Sequence, residues 1–189
     1  MRDKKVYILL TDTGTVFTRL IKLYTKKQYN HASICFDSEL TEVYSFGRKT
    51  ARNPFIGGFV KEDMKKGLFK RANCVIYSFK TTESEIQKMK QYINEIEEQK
   101  ESYRYNFLGL FGVMFNKSLK RKKAFFCSQF VATVLSECTD VCFDKPLSLI
   151  APNDLQKIGS LRFEYQGKLT SYPTINVEKI KVPACLIPA

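Results

Sequence analysis

Residues 124–131 read Ala-Phe-Phe-Cys-Ser-Gln-Phe-Val and carry a cysteine, Cys127, where an apolar approach meets the first turn of a helix. The apolar residues that follow recur at three- and four-residue spacing, which predicts one buried helix face: Phe130, Val131, Val134 and Leu135. Backbone N–H groups in the first turn of a helix have no intrahelical acceptor and lie at the positive end of the helix dipole. They stabilise a thiolate at Cys127 and can hold an oxyanion beside it.

The only histidine of the chain, His31, begins the segment HASICF at 31–36. This segment predicts a strand, the residues at 37–41 a turn, and those at 43–46 a second strand, so that the three form a hairpin. One imidazole is all that the chain offers for acid–base chemistry near neutral pH. The position of His31 is therefore more informative than that of a histidine in a histidine-rich chain.

A cysteine at a helix start, a histidine on a strand that packs across it, and a third group that orients the imidazole form the general layout of a thiol hydrolase. Cys127 and His31 supply the first two members. The competing interpretation is structural. In it Cys127 is an inert buried thiol and His31 a solvated strand end, while Tyr105 and Phe126 are core aromatics.

Periodicity along the rest of the chain predicts further strands and helices. Strands are expected at 6–10 and 74–79, where β-branched and aromatic residues run together. Thr82 followed three positions later by Glu85 is a capping-box pattern, which starts a helix that ends near residue 100. The apolar stripe of this helix consists of Ile86, Met89, Ile93 and Ile96.

Three other stretches complete the predicted elements. Residues 16–24 carry apolar residues at helical spacing and predict a helix. Residues 47–73 contain four glycines and a proline and predict a long ordered loop that shapes a binding groove. Residues 161–165 and 168–172 flank a two-residue turn and predict a terminal hairpin.

The composition bounds the class of protein. With 189 residues, of which 44% are hydrophobic and 26% charged, the chain has ordinary globular values and predicts one domain over residues 1–189. The longest apolar run, at 107–115, is far shorter than the stretch of about 20 residues that a bilayer span needs. The apolar stretch near the N-terminus is too short for a signal peptide, so we expect a cytoplasmic protein whose six cysteines are reduced.

Neither a metal nor a cofactor is expected from the sequence. The chain has no CxxC pair and a single histidine, so it lacks the ligand set of a tetrahedral zinc site. The expected partners are instead a substrate and, given the charge of the chain, an anion.

Thirty-one basic and 19 acidic residues give a formal net charge of +12, which favours a polyanionic partner. Five of the seven residues at 117–123 are cationic, and they lie between the apolar run at 107–115 and the helix of Cys127. An anionic membrane surface is one candidate partner of this basic run, and a solvated loop that only aids solubility is the alternative. No signature of sequence-specific nucleic-acid recognition accompanies it, so no specific nucleic acid is expected. The oligomeric state is left open.

Four segments share a further pattern: NHASI at 30–34, VYSFG at 43–47, YNFLGL at 105–110 and FCSQFV at 126–131. Together they resemble the circularly permuted branch of the NlpC-type papain-like cysteine hydrolases, the YiiX- and YaeF-like proteins, and more distantly lecithin retinol acyltransferase. In that branch the His-bearing hairpin precedes the Cys-bearing helix, which reverses the order in papain, and this chain has that order. Residues 152–155 (PNDL) resemble the segment after the nucleophile helix, and residues 44–49 together with 53–62 resemble a Firmicutes subgroup of the branch.

The resemblance implies an α+β, papain-like fold in which an antiparallel sheet packs against the Cys-bearing helix. It also implies that Cys127 is the nucleophile and His31 the general base. Tyr105 matches an aromatic hydroxyl near the nucleophile that supports the oxyanion. Relatives often place a carboxylate on the strand after the histidine strand, where this chain reads EVYSF at 42–46.

The group that orients the imidazole is left open between Tyr44 and Ser45. A two-residue hairpin loop places Ser33 opposite Tyr44, and a three-residue loop places it opposite Ser45. Ser33 shares the face of His31, so either opposing hydroxyl can orient the ring. Glu42 shares the face of Tyr44 but lies nearer the turn. A neutral orienting group stabilises an imidazolium less than a carboxylate does, so we expect a weaker general base or a specialised substrate.

The sequence thus predicts a cysteine hydrolase or acyltransferase that cleaves an amide or ester bond through an acyl-thioester on Cys127. The expected substrate is a small molecule, a lipid or a peptide. Two other classes of function stay open. One is a non-catalytic protein that binds an anionic surface or nucleic acid through residues 117–123, and the other is an inactive homologue that acts as a scaffold.

Overall fold

The apolar run at 6–10 forms the middle of a strand that is paired on both sides. The computed structural model describes residues 4–14, 27–48, 57–114, 117–118 and 121–173. Within them the strands are β1 (Lys4–Asp12), β2 (His31–Cys35), β3 (Val43–Arg48), β4 (Gly57–Glu62), β5 (Asn73–Thr81), β6 (Arg104–Tyr105), β7 (Ala124–Phe125) and β8 (Leu161–Lys168). Six of them form an antiparallel sheet in the order β4-β3-β2-β1-β5-β8, and β6 pairs with β7 in parallel.

Four α-helices accompany the strands in the described ranges: α1 (Glu83–Glu98), α2 (Phe107–Met114), α3 (Cys127–Cys138) and the one-turn α4 (Pro152–Leu155). The capping box predicted for α1 is confirmed, because the Thr82 hydroxyl accepts from the Glu85 N–H at 3.2 Å and the Glu85 carboxylate accepts from the Thr82 N–H at 2.7 Å. The predicted apolar stripe of α1 is buried. None of these helices combines the length and the apolar character that crossing a membrane requires.

Alternation along the strands gives the sheet two buried faces. One face, which includes Ile8 and Ile34, packs with the apolar residues of α1 and α3 in the larger core. The other face, which includes Leu9 and Cys35, packs against a smaller core built from the segments near residues 64–72 and 169–172. The prediction of an α+β protein with an antiparallel sheet against the Cys-bearing helix is confirmed at this level. His31 is the first residue of β2, and alternation places its side chain on the same face of the sheet as Cys35.

The prediction of one long loop at 47–73 is wrong. Residues 57–62 form β4, which pairs with β3 along its whole length, and Gly67–Arg71 form a short 3-10 helix. One of the glycines that suggested a loop, Gly57, serves close packing instead. A Cβ atom on Gly57 would lie 2.8 Å from the Cβ of Tyr105 and 2.9 Å from the carbonyl oxygen of Gly47, so only glycine fits between these elements.

The prediction of a terminal hairpin is also wrong. Residues 161–168 are one continuous strand along β5, without a turn at Gly167. Gly167 instead leaves room for the ring of Tyr165, whose hydroxyl would lie 2.7 Å from a Cβ at that position and donates to the Lys168 carbonyl. The apolar run at 107–115, for which the sequence predicted neither a helix nor a strand, contains α2 at Phe107–Met114. The helix predicted at 16–24 lies outside the described residues.

Candidate active site

Cys127 is the first residue of α3, and the short strand β7 ends two residues before it. Phe126, the residue before it, is extended and provides no side-chain cap to the helix. The first intrahelical bond runs from the Phe130 N–H to the Phe126 carbonyl, so the N–H groups of residues 127–129 have no intrahelical acceptor. Ser128 fixes this turn, because its buried hydroxyl donates to the Ile150 carbonyl at 2.7 Å. The N-terminus of α3 can therefore present N–H donors beside the Cys127 thiol.

A second helix begins beside α3. The parallel pairing of β6 with β7 sets Arg104 opposite Ala124 and Tyr105 opposite Phe125, and α2 and α3 each begin two residues later. Asn106 caps α2, since its side-chain oxygen accepts from the Gly109 N–H at 3.0 Å. Two helix N-termini thus start at the same level, and both dipoles add positive potential near Cys127.

His31 and Cys127 lie within reach of each other. The Cys127 side chain lies close enough to the imidazole to be one of the groups that raise the pKa of His31. The imidazole is held by its strand, because His31 pairs with Thr11 across the β1–β2 ladder, and it is 13% exposed. Cys127 is 2% exposed. The two residues that the sequence singled out are therefore brought together.

A buried carboxylate occupies the other side of the imidazole. Nε2 of His31 lies 2.7 Å from Oε1 of Glu62, whose side chain is 6% exposed. Because Nε2 is taken by Glu62, Nδ1 is the ring nitrogen left for Cys127. Thiol, imidazole and carboxylate then form a chain of three groups in the order of a nucleophile, a base and an orienting acid.

Two serines hold Glu62 in place. Ser33 donates to Oε2 at 2.5 Å and Ser45 donates to Oε1 at 2.6 Å, so the carboxylate accepts from three side chains. The strand register explains this arrangement. Glu62 pairs with Val43 on the neighbouring strand, and alternation places Ser45 and Ser33 on the same face of the sheet.

The pKa values of the pair follow from these contacts. Burial by itself lowers the pKa of His31, but the charge of Glu62 and hydrogen bonds to Cys127 and Glu62 outweigh it and raise the pKa to about 10. Burial by itself raises the pKa of Glu62, but the charge of His31 and hydrogen bonds from His31, Ser33 and Ser45 outweigh it and lower the pKa. At neutral pH the pair is an imidazolium next to a carboxylate.

The two residues proposed to orient the imidazole are placed differently from the expectation. Ile34 lies opposite Tyr44, so Ser33 lies opposite Ser45, which is the register of the longer hairpin loop. Ser45 therefore reaches the site, but it contacts Glu62 and not the imidazole. Tyr44 points to the other face, where its ring stacks on Phe59 with a centroid distance of 6.0 Å.

The remaining predicted site residue, Tyr105, lies at the end of β6 and is half-buried. Its Cβ packs closely on Gly57 at the start of β4, and its ring belongs to the residues that pack against the larger core. Glu42, the carboxylate considered on β3, lies away from the imidazole and pairs with Lys90 at 2.7 Å.

Glu62 was missed because it lies in the segment interpreted as a loop. A carboxylate was expected on β3, the strand after β2, whereas Glu62 lies one strand further along the sheet, on β4. A signal was present: Phe59 and Val60 form an apolar pair between the glycines and the polar residues Lys61 and Glu62, as in a short strand. A hairpin from β3 to a strand at this position would have aligned Glu62 with Val43.

A cleft of about 280 Å³ opens beside Cys127. Its wall is largely apolar and includes Val113, Phe126, Ala151 and Pro152. Asn30 also lines it; the amide of Asn30 donates to Asp12 at 2.9 Å, and its Oδ1 is buried with no partner in the described ranges. The cleft can hold a substrate whose carbonyl carbon faces the thiol of Cys127.

Comparisons with protein-family models, with curated proteins and with solved structures found no match to this chain. What the chain does is therefore inferred from its own residues. The site combines a thiol at a helix N-terminus, an imidazole beside it, and a buried carboxylate that favours the protonated form of the imidazole. Such a set can attack a carbonyl carbon, stabilise the oxyanion and protonate a leaving group.

Proposed function

We propose that this protein is a cysteine hydrolase or acyltransferase that cleaves an amide or ester bond through an acyl-thioester on Cys127. The proposal rests on the arrangement of three side chains, Cys127, His31 and Glu62. The buried Glu62 carboxylate stabilises the imidazolium form of His31, which lies beside a cysteine at a helix N-terminus. Glu62 favours the imidazolium form of His31, which is the form that can donate a proton to a leaving group.

The first half of the reaction forms the thioester. The thiol proton resides on His31, and the Cys127 thiolate attacks the carbonyl carbon of the substrate. The N–H groups at the start of α3 hold the oxyanion that develops on the carbonyl oxygen. As the carbonyl re-forms, the bond to the leaving group breaks, and His31 donates its proton to the departing nitrogen or oxygen.

The second half releases the acyl group. A water molecule, or an alcohol or amine acceptor in a transferase, gives a proton to His31 as its oxygen or nitrogen attacks the thioester carbon. The carbon–sulfur bond then breaks, the sulfur leaves as the Cys127 thiolate, and the proton taken from the water or acceptor stays on His31, which restores the starting state. Glu62 keeps its negative charge throughout and stabilises the imidazolium in each step.

The topology supports the resemblance to the permuted papain-like hydrolases. The strand of His31 precedes the helix of Cys127 along the chain, and that helix packs on β2 and β3. A papain-like fold is accordingly part of the proposal, with Glu62 in the role of the third member. A reducing cytoplasm suits the proposal as well, because a thiol nucleophile must stay reduced.

Hydrolysis of p-nitrophenyl acetate tests the proposal. We expect release of nitrophenolate together with an acetyl group on Cys127, detected by mass spectrometry after acid quenching. Cys127→Ala should abolish both signals and His31→Ala should slow both. Cys142→Ala is the matched control, since Cys142 is an exposed thiol that does not belong to the described lining of the Cys127 cleft. Acetylation at another residue, or unchanged turnover in Cys127→Ala, contradicts the proposal.

A second candidate function is binding of an anionic surface through the basic run at 117–123. Lys117, Arg121 and Lys122 are exposed, and Leu108 on α2 is 54% exposed. Lys123, in contrast, is engaged: its ammonium donates to the Gln99 side chain at 2.9 Å and lies over an aromatic ring. This surface can act together with the thiol site by delivering a membrane-bound substrate.

A further inference from the structure

Two residues on the wall of the Cys127 cleft carry buried hydrogen-bond acceptors without a donor. The acceptors are the side-chain oxygens of Asn30 and Asn153, and neither has a partner in the described parts of the chain. The nitrogen of the Asn30 amide donates to Asp12 at 2.9 Å. Because a carboxylate accepts and does not donate, this bond fixes which end of the amide is the free oxygen. A buried acceptor without a donor is unfavourable, and a bound donor removes the penalty.

The other polar side chains of the described cleft wall, apart from the thiol, have partners of their own. The Ser128 hydroxyl donates to a backbone carbonyl, and the Tyr29 hydroxyl accepts from a glutamine side chain. Asp154 forms ion pairs with two lysines of the wall, and Lys27 is also engaged. The two asparagine oxygens are therefore the side-chain groups of this wall that a substrate can still satisfy, and they call for a donor.

The cleft lies on the side of the thiol that faces away from the base. Cys127 and Ser128, at the start of α3, belong to its described lining, whereas His31 and Glu62 do not. His31 protonates the leaving group in the proposed reaction, so the leaving group faces the imidazole. The part of the substrate that stays on the sulfur, the acyl group, then occupies the cleft.

The apolar part of the wall limits what this acyl group can be. Val113, Phe126 and Pro152 contribute to a space of about 280 Å³, which lies at the low end of the range of about 300–1,000 Å³ for small-molecule sites. Such a site suits a small acyl group that is mostly apolar and has few polar groups. The two asparagine oxygens define what those polar groups must be, namely donors.

We infer that the cleft selects a substrate whose acyl part carries an amide N–H, as in a peptide or an N-acylated amino acid, and that Asn30 and Asn153 are the acceptors. The inference rests on the proposed function and chooses the peptide class over the lipid class, because a fatty acyl chain has no N–H. A site that hydrogen-bonds a donor discriminates against the analogue without it, since the buried acceptor of the site is then left unpaired.

Two uncharged esters isolate the contribution of the N–H. The p-nitrophenyl esters of N-acetylglycine and of O-acetylglycolic acid share the reacting carbonyl and the leaving group, but an ester oxygen replaces the N–H in the second. The measured quantity is the ratio of their kcat/KM values, divided by the ratio of their rate constants with 2-mercaptoethanol, which removes the difference in intrinsic reactivity. We expect a corrected ratio of about three- to tenfold in the native protein, the range for one neutral hydrogen bond.

Asn30→Leu and Asn153→Leu each replace an acceptor by an apolar side chain of similar size, and at least one of them should lose the preference. Asn30→Leu also removes the bond to Asp12. Both esters depend equally on His31, so any shift of the neighbouring imidazole cancels in the ratio. Asn30→Ser keeps a donor for Asp12 and replaces Asn30→Leu if that variant does not fold. Lys157→Met is the matched control, because Lys157 lines the same cleft and is 80% exposed, and both esters are uncharged.

The outcomes separate the inference from the proposed function. A corrected ratio of about one in the native protein overturns the inference, and so does a raised ratio that the variants at both asparagines keep. In either case, His31-dependent hydrolysis of the glycolate ester through an acyl group on Cys127 would still support the thiol site. Failure of both esters to acylate Cys127 overturns the inference and the proposed function together.

Discussion

Replacing Glu62 with glutamine removes one charge from the buried site with almost no change in shape. The carboxylate accepts from His31, Ser33 and Ser45 in the native protein. In Glu62→Gln the amide oxygen can still accept from His31, and a serine hydroxyl can rotate to accept from the new NH₂ group. The imidazole therefore keeps its position, while the counter-charge of its imidazolium form is lost.

The magnitude follows from the burial of the pair. With side chains 13% and 6% exposed, His31 and Glu62 form a buried ion pair, and loss of one partner of such a pair costs about 3–5 kcal/mol. His31 can release its proton in the variant, which limits the cost, so we expect about 3 kcal/mol of lost unfolding free energy at pH 6. Loss of a charge-assisted hydrogen bond worth about 1.5–3 kcal/mol corresponds to alkylation of Cys127 that is about 10- to 150-fold slower at pH 7.

The pH dependence has a defined sign. The pKa of His31 is raised from its ordinary 6.5 to about 10, so its stabilising contribution is complete below about pH 6.5 and is lost as the pH rises toward 10. The pKa of Glu62 is lowered from 4.5, so its contribution is present above that value and is lost as the pH falls through the lowered pKa. The stability difference between the native protein and Glu62→Gln should be largest at pH 5–6.5.

Two measurements test this prediction. Urea unfolding at several pH values gives the free energy of unfolding, and iodoacetamide labelling between pH 5 and 10 gives the rate profile of Cys127. Glu42→Gln is the matched control, because Glu42 directly precedes β3 and pairs with the partly exposed Lys90. We expect less than about 1 kcal/mol of change there, as for an exposed ion pair. A folded Glu62→Gln protein with the native labelling profile would refute the role of Glu62.

Three further predictions concern the thiol, its base and the basic run. Limiting iodoacetamide at neutral pH should label Cys127 before the more exposed Cys142, and mass-spectrometric mapping that finds Cys142 first would remove the argument for an activated thiol. His31→Ala should keep the fold and move the alkylation profile of Cys127 to higher pH, whereas an unmoved profile would mean that the two residues do not act as a pair. Replacing residues 120–123 with serine should abolish salt-sensitive co-sedimentation with phosphatidylglycerol vesicles, and equal binding by both proteins would leave the basic run without this role.

Local patterns in the sequence were sufficient for several elements. The capping box and stripe of α1, the start of α3 at Cys127 and the β2–β3 hairpin depend on residues close together in the chain. Helical periodicity and capping act over one to three turns, so a single segment contains the information. The same holds for the candidate nucleophile and base, because each is singled out by its type and by the element that it begins.

The third member of the site was decided by tertiary structure. Glu62 reaches His31 only because β4 folds back along β3 and sets Glu62 opposite Val43, and β4 begins where Gly57 packs closely on Tyr105. Close approach between distant segments leaves no periodic trace, and the glycines that permit it look like loop residues. Tyr44 and Ser45 could not be distinguished for the same reason, since a change of one residue in the hairpin loop exchanges the two faces of the strand.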